Sequence, residues 1–189
     1  MNRDEAYKLV TSWTKNKNLV KHMLAVEAEM RALARHFDED EDLWGHAGLV
    51  HDADYEMLQK EGELEEHPFR TVEKLKEMDV PKEVISAVSS HAWKWNEKCP
   101  KPETKMDWAL YTCDELSGLI IAVALVRPDK KLSSVEVESV MKKWDEKSFA
   151  SGVHREQIEM CEEKLGIKLE DFIQINLKAL QEIAEELGL

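Results

Sequence analysis

Apolar residues in this chain recur with the step of a helix and almost never with that of a strand. Leu19, Met23, Val26, Met30, Leu33 and Phe37 advance by three or four and mark one long amphipathic helix. Phe172, Leu177, Leu180, Ile183 and Leu187 follow a similar spacing near the end. β-Branched runs of strand length are scarce, and 7 Gly and 5 Pro are too few to punctuate many short strands. Shorter helices are expected between the two stripes at roughly 3–14, 41–51, 68–78, 82–95, 104–126, 134–145 and 154–165. Pro68 and Pro81 suit first helical turns, whereas Pro128 and Gly166 follow helix ends. The expectation is an all-α bundle without internal repeats. Residues 1–126 would hold the chemistry, and 127–189 would form a helical extension packed on the same domain.

A chain of 189 residues, 43 % hydrophobic and 34 % charged, can bury one sizeable core. Its net charge of −13 counts against broad nucleic-acid binding and against an anionic membrane surface, both of which need cations. A small anionic substrate stays open if a metal reverses the local field. The longest apolar stretch, Leu116 to Val126, falls short of a bilayer span and reads as a buried core helix. Cys99, Cys113 and Cys161 are odd in number and form no CxxC pair, so neither a disulfide framework nor a zinc ribbon is expected. The opening MNRDEAYKLV lacks a signal-peptide pattern, and a cytoplasmic location is the expectation.

The acidic run Asp38-Glu39-Asp40-Glu41-Asp42 is not a calcium loop. Counted from Asp38, the sixth and twelfth positions are Leu43 and Leu49, where such a loop needs Gly and Glu. A solvated turn that caps the next helix accounts for it.

The adjacent pair His51-Asp52 closes an apolar helix written LWGHAGLVHDADYE. Where a buried helix unwinds, such a pair can aim an imidazole nitrogen and a carboxylate oxygen at one ion. Two further residues have the same inward bias. His22 falls one turn after Leu19 and one before Val26, and is either a core histidine or a ligand. Asp114 sits in WALYTCDELSGLIIAVALV, where burial without a partner is costly. It is either exposed, ion-paired or bound to a cation.

The segments NLVKHMLAVEAEMRALARHF, LWGHAGLVHDADYE and CDELSG together resemble the HD-domain superfamily of metal-dependent phosphohydrolases, in its HDIG-type branch. The resemblance covers roughly residues 17–126, and the tail is similar to uncharacterised members of the branch. It implies an HD-domain helical bundle and places His22, His51, Asp52 and Asp114 as metal ligands. Members with two ions add two histidines in the order His, His-Asp, His, His, Asp. That order maps onto His22, His51, Asp52, His67, His91 and Asp114, with Asp52 between the ions. On the residues alone, His67 is equally a helix cap before Pro68, and His91, on a face with Val84 and Val88, equally a residue touching substrate.

The implied activity is cleavage of a phosphomonoester or phosphodiester, in a nucleotide or small phosphorylated metabolite, by metal-activated water. Asp52 would take part directly. Asp54 and Glu56 are candidates for a general base or supporting acid, or else cap a turn. Arg70, Lys94, Arg127, Lys142 and Lys143 are candidate phosphate contacts, and Trp93 and Trp95 candidate pocket walls. One or two divalent ions are expected, of Fe, Mn, Co, Ni, Zn or Mg, because nitrogen and oxygen donors admit all of these. Two alternatives fit the same ligands: a mixed-valent di-iron oxygenase of the HD type, and a non-catalytic ligand-sensing HD domain. His36 and His154 fit no inward pattern and are expected at the surface, and His46 is expected to be structural.

Overall fold

The computed structural model describes Met1–Leu189 and is helical throughout, with no strand. The helices are α1 (Arg3–Trp13), α2 (Lys17–Phe37), α3 (Glu41–Val50), α4 (Tyr55–Glu61), α5 (Phe69–Glu77) and α6 (Lys82–Ser90). They continue as α7 (Lys105–Leu125), α8 (Val137–Trp144), α9 (Arg155–Ile158), α10 (Met160–Leu165), α11 (Leu169–Glu182) and α12 (Ala184–Leu187). Short 3-10 turns occupy Leu64–Glu66 and Leu132–Ser134.

Two 21-residue helices, α2 and α7, form the axis of the bundle. At 1.5 Å per residue each runs about 30 Å, the width of a small domain. The stripe of α2 packs on α3, α7 and α11, while α6, α9 and α10 pack on α7. One apolar cluster extends from Ala6 to Leu187, so helices from both ends of the chain share it. Helix α7 is long and apolar enough to pass for a membrane span, yet 67 % of that window is buried in the bundle. It is the core helix expected from its composition.

Local chemistry sets the ends. Asp40, within the acidic run, accepts from the Leu43 N–H at 2.9 Å and caps α3, as expected. Thr104 and Asp107 form a reciprocal capping box at the start of α7. Gly166 ends α10 in the left-handed region at φ 71°.

The helix expected over 82–95 stops at Ser90, and residues 91–99 coil instead. Lys94 adopts φ 71°, and the Asn96 amide donates to the carbonyls of Glu65 and His67 at 2.9 and 2.7 Å. Those bonds to a distant segment outweigh continued helix. Tyr55–Glu61, outside the helices expected from the spacing, is a helix closed by Gly62 at φ 75°. Pro68, not His67, holds the cap position of α5.

Candidate metal centre

Helix α3 approaches α2 so closely that a Cβ on Gly48 would stand 2.6 Å from the Val26 carbonyl oxygen. That contact brings His22, on α2, against His51 at the end of α3. Their Nε2 atoms lie 3.3 Å apart. Asp114, on α7, completes the group, its Oδ1 being 2.9 Å from His22 Nε2 and 3.4 Å from His51 Nε2. On the other side of Asp52, His67 and His91 bring their Nε2 atoms within 3.2 Å of each other. Each lies 3.3 Å from Asp52 Oδ1. Asp52 Oδ2 faces the first group, 3.9 Å from His22 Nε2. His51 is wholly buried, and His67 and His91 nearly so.

The outer nitrogens determine what the inner ones offer. His51 and His91 both stand at helix C-termini, and their Nδ1 atoms lie 2.7 Å from the carbonyls of Gly48 and Val88. A carbonyl only accepts, so each Nδ1 carries the proton. His67 Nδ1 donates to Asp54 Oδ1 at 2.7 Å. Ser117 donates its hydroxyl proton to the Asp114 carbonyl at 2.9 Å, so at 3.2 Å it can only accept from His22 Nδ1. All four imidazoles therefore direct a bare Nε2 lone pair inward, towards one another and towards two carboxylates.

Neutral, that arrangement is self-repelling; it requires protons or a cation. Without a cation His51 and His67 take up protons. Burial opposes charge on His51, but Asp52 and Asp114 outweigh it and raise the ring to about 9. Burial likewise opposes charge on His67, and its bonds to Asp52 and Asp54 raise it to about 10. Burial works against ionised Asp52 and Asp114 too, yet the His51 charge, above all, holds both well below the usual carboxylate range. Donors about 2.0–2.2 Å from one ion lie about 3.0–3.5 Å from each other. The separations within each group match that spacing. The residues fit a cation: His22, His51 and Asp114 lie close enough together to hold one, and so do His51, Asp52 and His91.

A cavity of about 400 Å³ opens beside the cluster. Asp52, His67, His91 and Asp114 form its inner end, and Tyr55, Trp93, Trp95 and Tyr111 wall it. Lys94 lines it as well, its Nζ 4.8 Å from the Trp93 ring centre.

Several sequence candidates fall elsewhere. Asp54 is buried behind His67, where Oδ1 accepts from the ring and Oδ2 from the Thr71 N–H at 2.9 Å, so it is not placed as a base. Glu56 turns away: Oε2 accepts from the backbone N–H groups of Lys15 and Asn16, and Oε1 pairs with Lys60. Arg70 pairs with Glu61 and Glu63. Arg127, Lys142 and Lys143 gather in a separate cleft of about 270 Å³ between α7 and α8. Helical spacing misplaces these groups because only packing decides which way a surface side chain leans.

His154 is the converse case. It is exposed, as expected, yet it stands on the cavity wall with Glu156 and Gln157. Glu115 is there too, and the single signal for it was its place after Asp114. His36 is exposed, and His46 is buried away from the cluster with Nε2 unpartnered.

A family model for the HD domain matches residues 19–171. None of the curated proteins matches the chain.

Proposed function

The chain belongs to the HD-domain family, and from that membership we propose that it is a metal-dependent phosphohydrolase acting on a nucleotide or another small phosphorylated metabolite. The observation that carries this reading is the convergence of four imidazoles and two carboxylates, with each ring held through Nδ1 so that its Nε2 faces the others. His22, His51, Asp114 and Asp52 Oδ2 would hold one ion; His67, His91 and Asp52 Oδ1 would hold a second. Bound divalent ions would acidify a water and offset charge on the phosphoryl oxygens.

The chain's own groups support the rest. Asp54 and the carbonyls of Gly48 and Val88 orient the imidazoles, so little reorganisation is needed on binding. Lys94 supplies a positive charge at the wall for a phosphoryl oxygen. Tyr55, Trp93, Trp95 and Tyr111 offer apolar faces to the substrate's organic half, in a cavity of the size small ligands occupy. Residues 127–189 act in this reading as an extension of the same domain that builds part of the wall.

The test is metal analysis of protein purified without added metal. Reconstitution with Mn, Fe, Co, Ni, Zn or Mg would follow, with a screen of phosphomonoesters and phosphodiesters. Expected are one or two ions per chain and phosphate release that disappears in His51→Ala. Lack of stoichiometric binding by any of these metals would overturn the reading. Oxygen uptake with a mixed-valent iron signal and no phosphate release would replace it with the oxygenase alternative.

A further inference from the structure

The cavity holds another histidine and carboxylate outside the ring of four imidazoles. His154 comes from the segment leading into α9, and Glu115 from α7. Glu115 grips this residue twice: Oε2 accepts from the His154 backbone N–H at 2.8 Å, and Oε1 from its Nδ1 at 3.0 Å. Gln157 fastens the same segment, donating to the Tyr111 carbonyl at 2.6 Å. The ring is thus held in place although its side chain is 57 % exposed. With Nδ1 bonded to Glu115, proton exchange passes through Nε2, which has no hydrogen-bond partner. The bond to Glu115 and its charge raise the His154 ring above its ordinary value.

Cleaving an alkyl or aryl phosphoester leaves an oxygen that needs a proton. The four clustered imidazoles cannot give it, because their protons sit on Nδ1 and are bonded away from the cavity. Burial, with the nearby Glu115 and Glu156, pushes the Tyr111 phenol up to about 12. Phenols and alkylammonium groups as a class titrate near 10, about three to four units above imidazole. An exposed ion pair adds little stability, and Gln157 already fastens the segment, so anchoring alone explains the pair poorly. A histidine with one nitrogen held by a carboxylate and the other free in a reactant cavity is arranged to pass a proton.

We propose that His154, positioned by Glu115, is a catalytic residue that donates its Nε2 proton to the leaving-group oxygen of the phosphoester. The proposal rests on the hydrolase reading above. A water oxygen forms the new bond to phosphorus while the ester P–O bond breaks, and that bond's electron pair goes to the leaving oxygen. The Nε2 proton joins it to give the alcohol. One proton of the water stays on the phosphate and the other passes to solvent, from which His154 is reprotonated.

The experiment compares phenyl phosphate, whose phenolate needs a proton, with 4-nitrophenyl phosphate, whose leaving group departs unaided. The metal-loaded full chain is assayed as wild type, His154→Gln and Glu115→Gln, with metal content and melting temperature measured alongside. For His154→Gln, kcat on phenyl phosphate should fall by about 10²–10⁴-fold, the usual contribution of a proton donor. On 4-nitrophenyl phosphate the fall should stay within about tenfold. Glu115→Gln should show the same selectivity more weakly. In the metal-free protein, the His154 ring nitrogens should titrate by NMR above the ordinary 6.5, and lower in Glu115→Gln. Equal losses on the two esters, or none, would overturn the role and leave the hydrolase reading standing. A loaded wild type that cleaves neither ester, nor any phosphomonoester or phosphodiester of the wider screen, would overturn both.

Discussion

At the scale of single residues, Asp54 and Glu29 show opposite uses of a buried carboxyl group. Asp54 accepts from His67 and from the Thr71 N–H. An amide there can accept from only one of them and must turn its own N–H towards the other donor. Asp54→Asn should weaken the ion shared by His67 and His91 by about 10–100-fold and spare the other, as loss of a ligand's orienting partner does elsewhere. Calorimetric metal titration checks this, and two unchanged binding steps would show that His67 is not a ligand. Glu29 is fully buried with neither oxygen partnered, and burial raises it well above 4.5. The folded state keeps its proton where the unfolded chain has lost it. Stability is therefore lost as pH rises above about 4.5 towards the folded value. Glu29→Gln should raise the melting temperature at pH 8 and change it little at pH 4. A shift that is the same at both would refute this account.

At the scale of elements, the α2–α3 contact governs the site. The Cβ of Gly48→Ala would meet backbone at 2.6 and 2.9 Å rather than a flexible side chain. The helices must part. Overpacking of this kind costs about 1–3 kcal/mol, or on the order of 2–10 °C in melting temperature for a chain of this size. Because α2 carries His22 and the end of α3 carries His51, the substitution should also weaken the ion between them. Melting curves with and without metal would reveal it. A loss of stability with metal affinity intact would show that the site tolerates the displacement.

At the scale of the whole molecule, the donors come from α2, the end of α3 with the turn after it, the residue preceding Pro68, the end of α6, and α7. Metal binding therefore couples to global folding. An ion at a thousandfold excess over Kd should add about 4 kcal/mol, on the order of 10 °C for a chain of this size. A chelator should reverse it. In the metal-free protein His51 and His67 are raised to about 9 and about 10. Their contribution is full below the unfolded value of 6.5 and is lost as pH rises through 9–10. The chelated protein should thus melt lower at pH 10 than at pH 7, whereas the loaded protein should hold its melting temperature better. Loading at pH 7 should also release protons, measurable by titration in buffers of different ionisation enthalpy.

The sequence by itself determined what depends on local order. The three-to-four step of Leu19 to Phe37 makes α2 a helix with His22 beside its buried stripe, Asp40 caps α3, and His51-Asp52 falls where that helix ends. Only tertiary structure decided which oxygen of Asp52 faces which group. It also turned Glu56 to the Lys15–Asn16 backbone, drew Arg127, Lys142 and Lys143 into their own cleft, and stopped α6 at Ser90 through Asn96. His154 reached the cavity in the same way, from 39 residues beyond Glu115. The physical reason is range. Propensity and capping act within about one helical turn, whereas the direction of an ionisable side chain is settled by partners that only the packed helices bring near.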